Sequence, residues 1–359
     1  MPPRTVRPLF SFLLLVLPAA CGGGSTSTPP PATPSRTWRM GMATTPPVLT
    51  TQSVLDGIAV WADDVELAAF HAELPWTDLL NGMAPAAILQ RDHVLLVDYL
   101  RQRGLGIAFM IDLTDGLSRA DEAPQLVALS RSLTEPAVQQ LARDYALAVA
   151  TTLTPELMGL AAETNLIRSI ASPALYQAVV TTSNAIAADL AAAHVSTTTF
   201  VSVQVETAWG LLPAGPFVGI TQDVADFPLV DAIGLSSYPY FAFATPDDIP
   251  VDYYTRVAAA TNKPILVSEG GWTSASVGSV TSTPQQQVRY LERQAELLDS
   301  VAATAWLHLL FADPDLATWP QPTPPTLPLF TSIGFTDSSF APKPAFAVWR
   351  DLVARPLLP

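Results

Sequence analysis

From Thr37 onward, short apolar runs rich in β-branched and aromatic residues alternate with longer stretches whose apolar positions recur every three or four residues. The short runs are typical of buried strands, and the longer stretches are typical of amphipathic helices. Eight strands are predicted, and they span 37–43, 66–74, 106–113, 157–163, 199–206, 232–238, 264–269 and 303–311. The clearest helices between them span 137–153, 174–193 and 284–302.

Strands that alternate with helices favour parallel βαβ units over an antiparallel sandwich. Eight such units predict an α/β protein with a (β/α)₈ TIM barrel over residues 37–359, longer than the ~250 residues typical of that fold but within its range. An open doubly wound sheet is the alternative. Such a sheet usually carries a glycine-rich phosphate turn, whereas the GLG at Gly104 lacks the third glycine and precedes a strand.

The N-terminus resembles a bacterial export signal. Arg4 and Arg7 precede the apolar LFSFLLLVL, and the small-residue segment PAAC ends at Cys21. LPAAC resembles a lipobox, although Pro18 stands where leucine is usual, so we predict a signal peptide over 1–21 and lipidation of Cys21. An ordinary signal peptide with an incidental cysteine is the alternative. Residues 22–36, rich in Gly, Ser, Thr and Pro, are the predicted tether. We expect an extracytoplasmic protein that is lipid-anchored to a bacterial membrane or secreted.

Composition excludes several classes of protein. With 49% hydrophobic and 14% charged residues, the chain can bury a sizeable core. Its formal charge of −14 would repel nucleic acid and anionic lipid, so membrane contact is expected through the anchor only. The single cysteine allows no intrachain disulfide. The four histidines have no zinc-site spacing, and we expect a monomer without metal or cofactor.

Acidic side chains mark the candidate chemistry, which in such a barrel lies at the carboxyl ends of the strands. Glu163 ends the predicted fourth strand and Glu269 the seventh, so they should face one another across the mouth. A facing pair of carboxyl groups suits glycosidic bond cleavage, in which one protonates the departing oxygen and the other attacks the anomeric carbon. Glu206, at the end of the fifth strand, is the rival acid and a candidate substrate contact. The other strand-end acids are Glu73, Asp112 and Asp313.

Aromatic residues near the strand ends are candidate sugar contacts, because the apolar face of a pyranose ring lies flat on an aromatic ring. In PILVSEGGW, Gly270 and Gly271 let the backbone turn closely under a ligand, and Trp272 would form the floor for a sugar. Trp306 and His308 share one face of the eighth strand and are expected to point into the barrel or its mouth. The remaining candidate substrate contacts are His71 and Trp209.

An acid on strand four with a nucleophile on strand seven resembles the clan A (β/α)₈ glycoside hydrolases, with the nearest likeness to the arabinogalactan endo-β-1,4-galactanases. The resemblance covers the domain from Thr37. It implies that Glu163 is the acid/base, that Glu269 is the nucleophile, and that Tyr238 in GLSSYPYF is the tyrosine that hydrogen-bonds the nucleophile. GFTDSSFAPKPAF from Gly334 resembles the closing segment of such enzymes.

Two positions depart from that family's pattern. Ala162 stands where the family has an asparagine before its acid, and Asn165 is the candidate replacement. The family's arginine late on strand two is missing, and His71 and Glu73 occupy that stretch instead. We therefore expect a retaining glycoside hydrolase acting on a polysaccharide or oligosaccharide. A non-catalytic carbohydrate-binding lipoprotein on a degenerate barrel is the alternative, and a structural envelope protein is the third possibility.

Overall fold

The structure is a computed structural model that describes residues 34–358. It confirms the (β/α)₈ barrel: the strands form one closed sheet in chain order, and neighbouring strands are parallel. The strands are β1 (Arg39–Ala43), β2 (Leu67–Glu73), β3 (Gly106–Asp112), β4 (Leu157–Gly159), β5 (Thr198–Gln204), β6 (Ala232–Ser237), β7 (Ile265–Gly270) and β8 (Ala305–His308).

Helices connect successive strands and form the outer layer. They are α1 (Thr51–Trp61), α2 (Trp76–Leu80), α3 (Pro85–Asp92), α4 (Val94–Gln102), α5 (Pro124–Ala128), α6 (Pro136–Thr152), α7 (Thr164–Ile170), α8 (Pro173–Ala192), α9 (Val205–Ala208), α10 (Thr221–Asp226), α11 (Tyr253–Ala258), α12 (Pro284–Ser300) and α13 (Pro344–Val353). The three helices predicted from the sequence are α6, α8 and α12, and each starts with a proline. Proline has no N–H to leave unpaired in the first turn, and its fixed φ suits a helix start.

Small residues line the inside of the barrel and make room for a few large ones. Ala69, Ala108, Ala232 and Ala305 pack there around larger apolar side chains, including that of Phe200. A Cβ added at Gly234 would come within 2.9 Å of the Phe200 ring, so glycine is needed to seat that ring. A second, larger apolar cluster fills the layer between the strands and the helices.

Several strands are shorter than predicted. β4 ends at Gly159, although Leu160, Ala161 and Ala162 remain buried beyond it. The regular strand ends there, but the buried run continues beside β5: the Leu160 N–H donates to the Phe200 carbonyl at 2.8 Å, and the Ser202 N–H donates to the Ala161 carbonyl at 3.0 Å. β5 ends at Gln204, and the next residues form α9, so Glu206 lies in the first turn of a helix and not at the end of a strand.

Arg36, which the sequence places in the tether, belongs to the folded domain. Its side chain is buried, and it donates to Glu66 on one side and to the carbonyl oxygens of Val353 and Arg355 on the other. The predicted signal peptide, Cys21 and most of the tether lie outside the described residues. Within residues 34–358, no helix combines the length and apolar character needed to span a bilayer.

Candidate active site

Glu163 and Glu269 meet at the carboxyl end of the barrel. The Oγ of Ser236 lies 2.7 Å from Glu163 Oε1 and 2.9 Å from Glu269 Oε1. Those two oxygens are therefore no more than about 5.6 Å apart, the sum of the two distances. Both carboxyl groups are almost fully buried, with 6% and 7% of each residue exposed. The structure thus brings together the two acids that the sequence paired, whereas their catalytic roles stay a prediction.

Local backbone features aim the two acids inward. Glu163 has φ 50° and ψ 49°, a left-handed conformation that ends the β4 segment and starts α7, and its N–H donates to Ser202 Oγ at 2.8 Å. On β7, the pairing with β6 skips one residue, because Leu235 pairs with Val267 while Ser236 pairs with Glu269. Such a bulge re-aims the side chains that follow it. It sets Glu269 directly beside Ser236.

A histidine and an arginine hold the two acids through a shared carboxylate. His71 on β2 places Nδ1 3.1 Å from Glu269 Oε2 and Nε2 2.9 Å from Asp112 Oδ2. Arg119, in the loop after β3, donates through Nη1 to the same Asp112 oxygen at 2.5 Å and through Nε to Glu163 Oε2 at 2.9 Å. We call His71, Asp112 and Arg119 the cation clamp. Asp112 thus contacts both His71, which lies against Glu269, and Arg119, which lies against Glu163.

The charges in the clamp set the protonation of its members. Burial alone would lower the pKa of His71, but the hydrogen bonds and negative charges of Asp112 and Glu269 raise that pKa to about 10. Both ring nitrogens face carboxylate oxygens, which also requires an imidazolium with two N–H donors. Burial would raise the pKa of Glu269, yet the hydrogen bond and charge of His71, with the charge of Arg119, hold it below its usual value. The pKa of Asp112 is likewise well below its usual range, because Arg119 and His71 outweigh its burial.

The cation on β2 that contacts Glu269 is a histidine and not the arginine that the resemblance implies for that strand. His71 stands on β2 and contacts Glu269 directly, while the guanidinium comes from Arg119, which the sequence analysis did not single out. Arg119 is buried and has φ 59°, so its backbone adopts a conformation uncommon for residues other than glycine. A single arginine in a long loop belongs to no periodic pattern, so the sequence did not indicate that Arg119 would reach the site.

Ser236 was also missed, although the sequence carried a usable signal for it. Along β6, Ala232 faces the barrel interior, and a Cβ on Gly234 would meet Phe200 there. Alternation with period two therefore puts Ser236 on the same face, next to the strand end. A small polar residue at that place is a candidate hydrogen-bond donor to neighbouring acids.

Tyr238 lies next to the site but is held among aromatic rings. It is buried, and its ring packs edge-on against Tyr240 and Phe330. Its pKa is raised well above the usual value by burial and by the nearby charges of Glu269 and Glu163. Within the described residues, the side-chain hydroxyl that bonds Glu269 belongs to Ser236. The role predicted for Tyr238 stays a prediction.

Trp272, the tryptophan predicted to form the floor for a sugar, has no exposed surface in this structure. Trp272 is fully buried: its Nε1 donates to Ser282 Oγ at 2.9 Å, and its ring packs on Tyr240 and Tyr290. It therefore presents no open platform here, which corrects the expectation drawn from PILVSEGGW. Gly270, with φ +152°, allows the turn at the end of β7, and the Trp272 ring belongs to the apolar cluster between the strands and the helices.

Trp306 and His308 face the helices and not the mouth. Ala305 and Leu307 belong to the barrel interior, so the residues that alternate with them point outward. Trp306 is fully buried and packs edge-on against Trp349 of α13. His308 stacks on Phe335, and burial lowers its pKa to about 4. The predicted orientation of β8 is therefore wrong: Ala305 and Leu307 face the barrel interior, and Trp306 and His308 face the helices.

Glu206 and Trp209 lie behind β6, against α11. Glu206 is fully buried and accepts from the Tyr253 hydroxyl at 2.7 Å and the Tyr238 N–H at 3.0 Å. Burial raises its pKa to about 7 despite these bonds. Trp209 is half-buried and donates through Nε1 to the Tyr253 carbonyl at 2.8 Å, with the Arg256 guanidinium 4.7 Å above its ring. Among residues 34–358, neither side chain makes a hydrogen bond to Ser236.

Asn165 braces α7 against β5. Its Nδ2 donates to the Gln204 carbonyl at 2.8 Å, and its Oδ1 accepts from the Gln204 N–H at 2.8 Å. Gln204 in turn places Nε2 3.3 Å from Glu163 Oε1. Both ends of the Asn165 amide are thus used by backbone, and the amide that approaches Glu163 is that of Gln204. Substrate contact by Asn165 stays a prediction.

The part of the chain that the structure describes contains no cluster of three or more metal-ligating side chains. Asp313, one of the strand-end acids, pairs with Lys343 at 2.5 Å. A cavity of about 250 Å³ opens between α7 and residues 210–219, beside Asn165 and Arg168.

Comparison with known proteins supports the fold. No protein-family model and no curated protein sequence matches the chain. An exo-β-1,4-mannosidase from Opitutaceae bacterium strain TAV5 is similar in structure, with a TM-score of 0.67 and 16% identity over 89% of this chain and 59% of that one. A β-glucosidase from Thermotoga maritima has a TM-score of 0.58 and 10% identity over 84% of this chain and 86% of that one. A β-glucuronidase from Ruminococcus gnavus has a TM-score of 0.53 and 14% identity over 89% of this chain and 49% of that one.

The chain thus spans about half to three-fifths of the mannosidase and the glucuronidase. At these identities, the likeness shows a barrel fold that is shared with glycoside hydrolases. The particular likeness to arabinogalactan endo-β-1,4-galactanases stays a prediction.

Proposed function

We propose that the chain is a retaining glycoside hydrolase that cleaves a polysaccharide or oligosaccharide, with Glu163 as acid/base and Glu269 as nucleophile. The observation that carries the proposal is the single Ser236 hydroxyl between the two carboxyl oxygens. One hydroxyl donates one hydrogen bond and accepts others, so Ser236 can donate to one acid and accept from the other. In that arrangement the pair holds one proton. An acid beside an ionised carboxylate is the arrangement that glycoside cleavage needs.

The clamp favours Glu269 as the ionised member of the pair. Glu269 faces the Nδ1–H of an imidazolium, which favours its ionised form. Glu163 is then the acid left to deliver a proton in the reaction, with Oε1 beside Ser236 Oγ and Oε2 accepting from Arg119. Two carboxyl groups about 5 to 5.5 Å apart are typical of retaining enzymes, and a gap above ~6.5 Å is typical of inverting ones. The bound set by Ser236 supports retention.

The reaction follows from these positions. Glu163 gives its proton to the glycosidic oxygen as the bond from that oxygen to the anomeric carbon breaks, and a Glu269 oxygen bonds to that carbon from the opposite face. Glu163, now ionised, takes a proton from water, whose oxygen attacks the anomeric carbon and releases Glu269. Two inversions retain the configuration. The fold that the chain shares with a mannosidase, a β-glucosidase and a glucuronidase supports this reaction class.

One observation favours the second candidate, a non-catalytic carbohydrate-binding protein. The ion pair that Arg119 makes at 2.9 Å suits the ionised form of Glu163, whereas an acid catalyst needs a proton there. Turnover of a panel of polysaccharides and aryl glycosides by the unmutated protein, with Glu269→Gln as the paired variant, separates the candidates. Turnover lost in Glu269→Gln supports the hydrolase. Binding without turnover in the unmutated protein supports the second candidate.

We also propose that the protein is exported and anchored through a lipid on Cys21, since LPAAC follows a charged and then apolar N-terminus. Metabolic labelling with a fatty acid tests this. Label in the unmutated protein that is lost in Cys21→Ala supports the anchor. Unlabelled, soluble protein indicates an ordinary signal peptide.

A further inference from the structure

Arg119 carries hydrogen-bond donors that the protein does not use. A guanidinium has five N–H groups in a rigid plane, one on Nε and two on each Nη. Nε donates to Glu163 and Nη1 donates to Asp112, whereas Nη2 makes no hydrogen bond to any residue from 34 to 358. Only 3% of the side chain is exposed, yet Nη2 is not one of the sealed polar atoms without a partner in that part of the chain. The small accessible surface of this buried cation therefore includes Nη2.

The other polar side chains next to the two acids are bonded within the protein, with one exception. Ser236 Oγ contacts both carboxyl groups, and both ring nitrogens of His71 face carboxylate oxygens. The Gln204 amide contacts Glu163 through Nε2, and its Oε1 accepts from a threonine hydroxyl. The Tyr238 hydroxyl is the exception among residues 34–358, but it is bonded to neither acid. The guanidinium Nη2 is thus the free donor that is fixed to the acid candidate.

The position of Nη2 indicates which part of a substrate it meets. Because Nε and Nη2 share one carbon of a rigid fork, a group that accepts from Nη2 lies next to Glu163 Oε2. Under the proposed function, Glu163 protonates the glycosidic oxygen on C1 of the sugar. The hydroxyl on C2, the neighbouring ring carbon, is the ring hydroxyl closest to that oxygen. Hydrogen bonds to this hydroxyl strengthen in the transition state of glycoside cleavage.

Resting on the proposed function, we propose that Arg119 binds the C2 hydroxyl of the sugar unit that is cleaved, through Nη2. A hydrogen bond from a cation is stronger than one between neutral groups, so this contact makes the site select for a sugar with a C2 hydroxyl. Neither Ala162 nor Asn165 offers a free polar group there. The first has an apolar side chain, and both ends of the Asn165 amide bond the backbone of Gln204.

A pair of substrates that differ only at C2 tests the proposal. The pair is the 4-nitrophenyl β-D-glucoside, galactoside or mannoside that the protein hydrolyses, and its 2-deoxy analogue. The ratio of their kcat/KM values should fall by at least about tenfold from the unmutated protein to Arg119→Lys, because lysine keeps the charge but lacks the planar fork. The intrinsic reactivities of the two substrates cancel in this comparison. A structural role alone would slow both substrates alike and leave the ratio unchanged.

Tyr238→Phe is the matched variant, because it removes the other free hydroxyl near the acids and should leave the C2 ratio unchanged. The 4-deoxy analogue is the matched substrate, since C4 lies across the ring from C1. Its kcat/KM relative to the parent glycoside should be the same in the unmutated protein and in Arg119→Lys. A C2 ratio that is unaltered in Arg119→Lys, or that falls equally in Tyr238→Phe, overturns the proposal. Hydrolysis of the parent glycoside leaves the hydrolase function in place in both cases.

A crystal structure of the unmutated protein with the hydrolysed sugar bound needs no substitution at Arg119. Nη2 should lie within about 3.2 Å of the C2 oxygen. A C2 hydroxyl that is bonded to other side chains and not to Nη2 overturns the proposal.

If none of the glycosides is hydrolysed, NMR titration with the methyl β-D-glycosides and their 2-deoxy analogues gives a readout without catalysis. Weaker binding of a 2-deoxy analogue, with the difference lost in Arg119→Lys, supports the contact and counts against the hydrolase. Equal affinities within each pair, or no binding of any of these sugars, overturn the inference.

Discussion

Ser236 is the residue on which the assignment of acid and nucleophile depends. Its hydroxyl lies between Glu163 and Glu269 and contacts one carboxyl oxygen of each. Ser236→Ala should lower kcat by about 10- to 100-fold with little change in folding, because both acids lose a fixed partner. The bell-shaped pH profile of kcat/KM should shift as well, which a merely structural role would not cause.

Ser237→Ala is the matched control for that variant. Ser237 follows on the same strand, but its Oγ faces Glu206, at 3.4 Å. It should leave kcat and the pH profile close to those of the unmutated enzyme. Equal effects of the two substitutions would contradict a special role for Ser236.

Glu206 should make stability depend on pH. Burial raises its pKa from the usual 4.5 to about 7, so the folded state holds a proton that the unfolded state has released. Its contribution is therefore most favourable below about pH 4.5, and it is lost as the pH rises to about 7. Relative to Glu206→Gln, the unmutated protein should lose up to about 3 kcal/mol of unfolding free energy between pH 4.5 and pH 7. Urea unfolding at both pH values measures this, and parallel pH dependences of the two proteins would contradict it.

Individual residues were predictable where strand position alone decides the outcome. Glu163 and Glu269 could be paired because parallel strands of a closed barrel end at one face. The burial of Trp272 could not be predicted, since it depends on Ser282 and Tyr290, which come from the following loop and from α12. Side-chain contacts between separate elements leave no periodic trace in the sequence.

At the scale of elements, the end of β7 requires a glycine at position 270. Its φ is +152°, and a Cβ there would collide with the Ser237 carbonyl oxygen of β6. Gly270→Ala should cost about 2–4 kcal/mol of unfolding free energy and displace Glu269, since backbone cannot move aside as a flexible side chain can. Thermal unfolding and kcat together measure both effects.

Gly57→Ala in α1 is the control for that substitution. A Cβ at Gly57 meets the nearest atom, on the Phe340 ring, at 3.5 Å, an ordinary contact. Alanine should therefore stabilise that helix by up to about 1 kcal/mol. Tolerance of alanine at Gly270 would show that the close approach of β6 and β7 is not required.

Element types were more predictable than element ends. α6, α8 and α12 were predicted because their apolar period continues over many turns. The bulge on β7 and the start of α9 at Val205 were not, because each depends on hydrogen bonds to a neighbouring strand or loop. These irregularities occur at strand ends, where the candidate site lies.

At the scale of the whole molecule, Arg36 joins the two ends of the domain. Its buried guanidinium bonds Glu66 and the carbonyl oxygens of Val353 and Arg355. Arg36→Ala should cost about 3 kcal/mol, because Glu66 and the carbonyls lose their donor. Arg103→Ala, at an exposed site on the same barrel, should cost less than about 1 kcal/mol. Equal unfolding free energies for the two variants would contradict this role.

The fold as a whole was predictable because eight repeats of one pattern admit few arrangements, whereas the cation clamp was not. Arg119 reaches the mouth through a loop whose path only the folded chain defines. The clamp nevertheless bears on the central claim, because His71 and Arg119 hold the pKa of Glu269 below its usual value, which favours the ionised form that a nucleophile needs.

Covalent trapping of the nucleophile tests that claim most directly. The protein is incubated with a 2-deoxy-2-fluoro glycosyl fluoride of a sugar that it hydrolyses, then digested and mapped by mass spectrometry. The account predicts one glycosyl group, on the peptide that contains Glu269 and attached to that side chain. A label on Glu163 or on another residue, or hydrolysis without any trapped adduct, would contradict it.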